Sequence, residues 1–131
     1  MNTSTLTDVW SPRLLSILRI VAALIFMAHG TQKILGFPEG ASPAMFSLPW
    51  IAGVLELFGG ALLVLGLFVR PVAFVLSGLM AAAYWIAHAP KSVFPVLNGG
   101  DAAILYCFVF LYLVAAGGGV WSVDNLLRKS R

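Results

Sequence analysis

Five ionisable side chains lie inside or beside stretches that are otherwise apolar: His29, Lys33, Glu56, His88 and Asp101. Imidazoles, carboxyls and an ammonium together are the groups that hydrogen-bond a ligand carbonyl and trade protons with it. Gln32 and Asn98 add neutral polar groups near them, and Arg19 is a further charge set deeper in its segment. On membrane-insertion scales a central Arg, Lys or Asp costs about 2.5–3.5 kcal/mol, so such residues usually face a bundle interior and find partners there.

Each residue also has a plainer role. Lys33 can snorkel to an interface. His88 can be an interfacial histidine beside Trp85, Asp101 a helix cap, and Arg19 a reach toward headgroups. Glu56 is harder to place this way, because it lies about two turns from a helix end; its structural reading is an ion pair with Lys33 or Arg19, or a protonated acid in the core. His29, Glu56 and His88 offer metal donors of acceptable type, but no two have a short ligand spacing, and no metal is expected. No Ser or Cys stands beside them as a nucleophile. The single cysteine, Cys107, excludes an intrachain disulfide and reads as a small buried hydrophobe.

The elements that must carry these groups follow from composition. The 131 residues are 60% hydrophobic and 10% charged, against about 45–50% and about 25% in average soluble domains. A soluble fold of this size cannot hide so much apolar surface, whereas lipid makes hiding it unnecessary. The reading is a single membrane domain over residues 1–131, all-α, an integral membrane four-helix bundle. A span needs about 20 apolar residues. The expected spans are residues 14–35, 50–69, 72–89 and 101–117, with a short interfacial helix over 123–129 capped by Ser122. Ser11-Pro12 starts the first, Arg70-Pro71 forms a tight turn between the second and third, and Gly117-Gly118-Gly119 ends the fourth. No Ala-x-Ala site closes the first apolar run, so it is expected as a retained helix rather than a leader.

Four crossings put both termini and the 70–71 turn on one side. That side carries Arg13, Arg70, Arg128, Lys129 and Arg131, against Lys33 and Lys91 opposite, which places both termini in the cytoplasm. Trp10, Trp50, Trp85 and Trp121 all fall near helix ends, as interfacial anchors do. With this orientation His29, Lys33, Glu56, His88 and Asp101 share the outer half, from four different helices, and Arg19 alone lies in the inner half. They are expected to meet in one outward-facing polar pocket. Scattered basic residues argue against nucleic acid as a partner.

The stretch Phe26 to Gly36, with His29, Gln32 and Lys33, resembles the first-helix motif of the DoxX family. Glu56 to Leu67, followed by Arg70, is similar to its second motif. His88, Phe94-Pro95, Asn98-Gly99-Gly100-Asp101 and Leu105-Tyr106 resemble its third, and Gly119, Trp121-Ser122 and Asp124 its end. The likeness runs from about Arg13 to Asp124, with Asp101 where the family often has Glu. It implies a small four-helix inner-membrane protein, a membrane oxidoreductase component with a quinone as electron partner, and functional roles at His29, Gln32, Lys33, Glu56, His88, Asn98 and Asp101. A quinone ring is then expected among Phe26, Trp85 and the Gly59-Gly60 surface, with His29 or His88 bonding its carbonyl and Glu56 trading a proton. The sequence carries no flavin, haem or iron–sulfur motif, so a partner protein, or a second copy, is expected beside the lipid. The alternatives are an accessory or assembly subunit without chemistry, or a small-molecule carrier.

Overall fold

The structure, a computed structural model, describes residues 2–131, and among them it is helical with no strand. Helix α1 runs unbroken over Thr3–Leu35. It therefore starts earlier than residue 14, and Ser11 lies inside it rather than capping it. Pro12 lacks an amide and its ring crowds the carbonyl one turn back. The turn before it, Leu6–Trp10, is a π turn, with Ser11 N–H bonded to the Leu6 carbonyl; the wider loop gives the ring room and the helix passes through. At 33 residues α1 is about 50 Å long, well beyond a hydrocarbon core of about 30 Å.

Helix α2 covers Leu48–Leu65, capped by Ser47 Oγ, which accepts from Trp50 N–H, and closed by Gly66 in the left-handed region at φ 74°. Helix α3 covers Val69–Lys91, ordinary to Ala83, then widening to a π turn over Tyr84–His88. The connection is thus Gly66–Phe68, not Arg70-Pro71, which belongs to the first turn of α3. Proline suits a first turn, where its missing donor has no helical acceptor. The carboxylate of Asp124, 56 residues on, caps α3 instead: Oδ1 accepts from Phe68 N–H at 2.8 Å and Oδ2 from Val69 N–H at 2.9 Å. A single helical turn at Pro95–Asn98 leads into α4, Asp101–Ala116, and α5 spans Val123–Lys129. Ser122 caps α5 as expected, its Oγ accepting from Asn125 N–H.

Three helices, α1 to α3, are long and apolar enough to cross a membrane; α4 is as apolar but only 16 residues long. The helices pack as two intimate pairs, α1 with α2 and α3 with α4. Between the pairs lies the core: Ala23, Phe26, Leu63, Leu76, Phe110 and Leu113 are buried. Phe26 meets Phe110 edge-on at 4.9 Å and Tyr106 at 5.4 Å. Around this thin core, Leu24, Ile25, Phe58, Phe74 and Leu105 point outward and exposed. A water-soluble protein would not leave such a belt contiguous, and acyl chains cover it at no cost.

Candidate functional site

Glu56 faces α1 from the middle of α2, and its Oε1 accepts a 2.8 Å hydrogen bond from Lys33 Nζ. The carboxyl side chain is 4% exposed and the lysine 31%. Among the described residues this is the only ion pair, and Glu56 Oε2 is the only buried side-chain polar atom without a hydrogen-bond partner. Two glycines make the approach possible, each three residues before its charge. A Cβ on Gly30 would sit 2.5 Å from the Leu57 amide nitrogen; one on Gly53 would sit 2.8 Å from Lys33 Cβ. Side chains at either position would hold the two helices apart and separate the charges.

His29 is one turn back from Lys33, exposed, with its ring 6.2 Å from the Tyr106 ring of α4. Gln32 points away from this edge and donates to the Glu39 carbonyl at 2.6 Å, tying down the loop after α1. Phe26 is in the core rather than beside open space. Gly59 is filled by Leu76 and Gly60 by Met27, and Trp85 projects outward at 70% exposed, against Tyr84. The ring slot expected among Phe26, Trp85 and Gly59-Gly60 is therefore not formed; close helix packing occupies its glycine wall.

The second polar group belongs to the other helix pair. Asn98 is buried, donating from Nδ2 to Tyr84 Oη and to the Ser92 carbonyl and accepting at Oδ1 from Gly100 N–H. His88 Nδ1 lies 3.0 Å from the Asn98 carbonyl, and its ring stacks over Tyr84. Asp101 is exposed at the first residue of α4; the cap itself is Gly100. Its charge favours that helix end electrostatically. The five ionisable residues thus form two clusters, Lys33–Glu56 with His29 on one pair and His88 with Asn98 and Asp101 on the other. The ring of Tyr106, on α4, lies against His29 and Phe26 of α1, a contact between the two helix pairs.

Arg19 lies apart from both and does not reach the headgroups. It is fully buried, with Nε donating to the Leu63 carbonyl at 2.8 Å, Nη2 to the Trp121 carbonyl at 2.7 Å and Nη1 to the Gly118 carbonyl. Ser16, one turn back, donates to Gly118 and accepts from Trp121 N–H at 3.0 Å. The glycine loop after α4 is in this way fastened to α1. Ser16 and the Gly30 contact carry no signal that the sequence makes visible; Gly53 reads there as a close-packing position and Tyr106 as part of the third motif. The spacings Gly-x-x-Lys and Gly-x-x-Glu stand on consecutive helices, but the pairing partner of either helix is not readable from them.

A family profile described as DoxX matches residues 14–89. A Haemophilus influenzae protein described as uncharacterized is 44% identical over 127 residues, covering 92% of this chain and 95% of its own length. A second from that organism, with the same description, is 30% identical over 128 residues, covering 88% and 83%. No solved structure matches.

Proposed function

Since the chain belongs to the DoxX family of small membrane proteins, we propose that it works as a membrane oxidoreductase component whose proton-exchanging site is the Lys33–Glu56 pair, with a quinone as redox partner. The carrying observation is Glu56 Oε2, a buried carboxylate oxygen with its lone pairs unused. A buried acceptor without a donor is costly, about 1–3 kcal/mol or more when charged, and a ligand hydroxyl would remove that cost. A quinol supplies such a hydroxyl, and its oxidation releases two electrons and two protons. Glu56 takes up one proton at Oε2 and the His29 imidazole the other; the partly exposed Lys33 ammonium releases a proton to the interface and is refilled from Glu56. His29, at the same edge, offers an imidazole to a ring carbonyl. The electrons pass to a partner protein, because the chain carries no flavin, haem or iron–sulfur motif. Gln32 holds the loop after α1 and Asn98 the loop before α4.

This reading takes the protein as an inner-membrane one with four crossings and both termini in the cytoplasm. Helix α4 at 16 residues covers about 24 Å; the loop Gly117–Gly119 completes the passage. Irregular backbone is tolerated at that depth only where protein satisfies it, which is what Arg19 and Ser16 do for Gly118 and Trp121. An accessory subunit without chemistry is the second reading, favoured by Asn98, whose amide is wholly engaged inside the protein. Purification in mild detergent, followed by quinone extraction and redox difference spectra, separates the two. A redox component retains quinone in the wild type and loses it in Glu56→Gln. An accessory subunit retains none, and its partner association is unchanged by the substitution.

A further inference from the structure

At the end of the bundle that carries α5, a cleft of about 570 Å³ opens between the start of α3, the glycine loop and α5. Two guanidinium groups line it, Arg70 and Arg128. Arg70 uses Nη1 on the Val114 and Ala115 carbonyls at the end of α4. Among the described residues its Nε and Nη2 have no acceptor, and Nη2 lies beside Gly117, where the lack of a side chain leaves it open to the cleft. Among the described residues Arg128 bonds only Asn125 Oδ1. Among the described residues neither has a carboxylate within 4.0 Å. The one acid in the cleft, Asp124, has both oxygens committed to Phe68 and Val69 amides.

This basic cleft does not end in water. Ser11 and Leu15 are walls of both it and a second groove of about 420 Å³, which runs down α1 past Leu14 and Leu18 to Tyr112 and is lined almost wholly by apolar side chains. At the head of that groove Arg13 sits 5.7 Å over the Trp10 ring, a pairing suited to the membrane–water boundary. A fork of open guanidinium donors recognises a phosphate oxyanion. An apolar groove joined to it recognises a hydrocarbon chain. We propose that this composite is a binding site for one anionic glycerophospholipid, its phosphate between Arg70 and Arg128 and an acyl chain along α1 between Leu14 and Leu18.

The test is native mass spectrometry of the whole protein, titrated separately with phosphatidylglycerol, a diacylglycerol of the same chains, and glycerol 3-phosphate. The lipid site predicts a retained phosphatidylglycerol adduct, with the other two bound at least tenfold more weakly. Arg128→Gln, which breaks no main-chain contact, should cut phosphatidylglycerol retention about tenfold at an unchanged melting temperature. Arg70→Lys should weaken it less, since a charge remains. Leu18→Ser should weaken phosphatidylglycerol and leave glycerol 3-phosphate unaffected. Equal retention of diacylglycerol, or no effect of Arg128→Gln, overturns the phosphate contact. Glycerol 3-phosphate binding as tightly as the lipid overturns the acyl groove and leaves a soluble-phosphate site.

Discussion

Arg19 and Glu56 are buried charges on paired helices, and they meet the low-dielectric interior in opposite ways. Arg19 has no carboxylate partner but three backbone carbonyls from two segments, so its donors face acceptors that cannot move independently of the fold. Glu56 has one lysine and one empty oxygen. The first arrangement closes the structure: loop, α1 and the end of α2 are fastened by one side chain. The second leaves bonding capacity unused at a point linked to the surface through a half-exposed lysine. Burial of a charge alone therefore does not mark a reactive group. Saturation of its hydrogen bonds separates a structural charge from one kept available.

The contrast is open to direct attack. Arg19→Leu is expected to have the largest effect on stability, about 3–5 kcal/mol, since it removes three charge-assisted hydrogen bonds at once and leaves the Trp121 carbonyl without its donor; unfolding by SDS titration in mixed micelles measures it. A loss under about 1 kcal/mol would mean that the loop is held by Ser16 and α5 instead. Gly30→Ala should follow, at about 1–3 kcal/mol, because its new methyl meets the Leu57 backbone rather than a flexible side chain. The same substitution should uncouple Lys33 from Glu56, so that a Glu56→Gln change adds nothing further in that background. Asp124→Asn removes a charged cap from α3 and should cost about 1 kcal/mol, read as a lowered melting temperature. Glu56→Gln should cost least, about 1 kcal/mol or below, because Lys33 remains partly hydrated. A large destabilisation there would make Glu56 as structural as Arg19.

Much of the architecture was written in local pattern. Apolar run length gave the helices, and Ser122 followed by Asp124 and Asn125 gave the start of α5. The helix ends that differ from local pattern depend on distant or unusual contacts. Asp124 reaches back to cap α3, which moves the α2–α3 turn to Gly66–Phe68, and a π turn lets α1 run through Pro12. Side-chain identity and depth were enough to single out Lys33, Glu56 and Arg19, but not their partners. Arg19 and Lys33 lie on one helical stripe of α1, and only the crossing set by Gly30 and Gly53 gives Lys33, rather than Arg19, to Glu56. Nothing local tells which way an aromatic ring faces: Phe26 turns inward against Phe110, while Trp85 turns outward beside Tyr84.

The most direct measurement of the central claim compares Glu56→Gln with Asp124→Asn, two single-charge removals of similar expected cost at opposite ends, in one quinone-retention assay with melting temperatures alongside. Glu56→Gln should lose at least tenfold of the quinone that the wild type carries while its melting temperature stays close to wild type, and Asp124→Asn should keep it. Equal retention in both variants, or a loss in Glu56→Gln only where the protein has unfolded, would contradict the assignment of the open carboxylate oxygen to function.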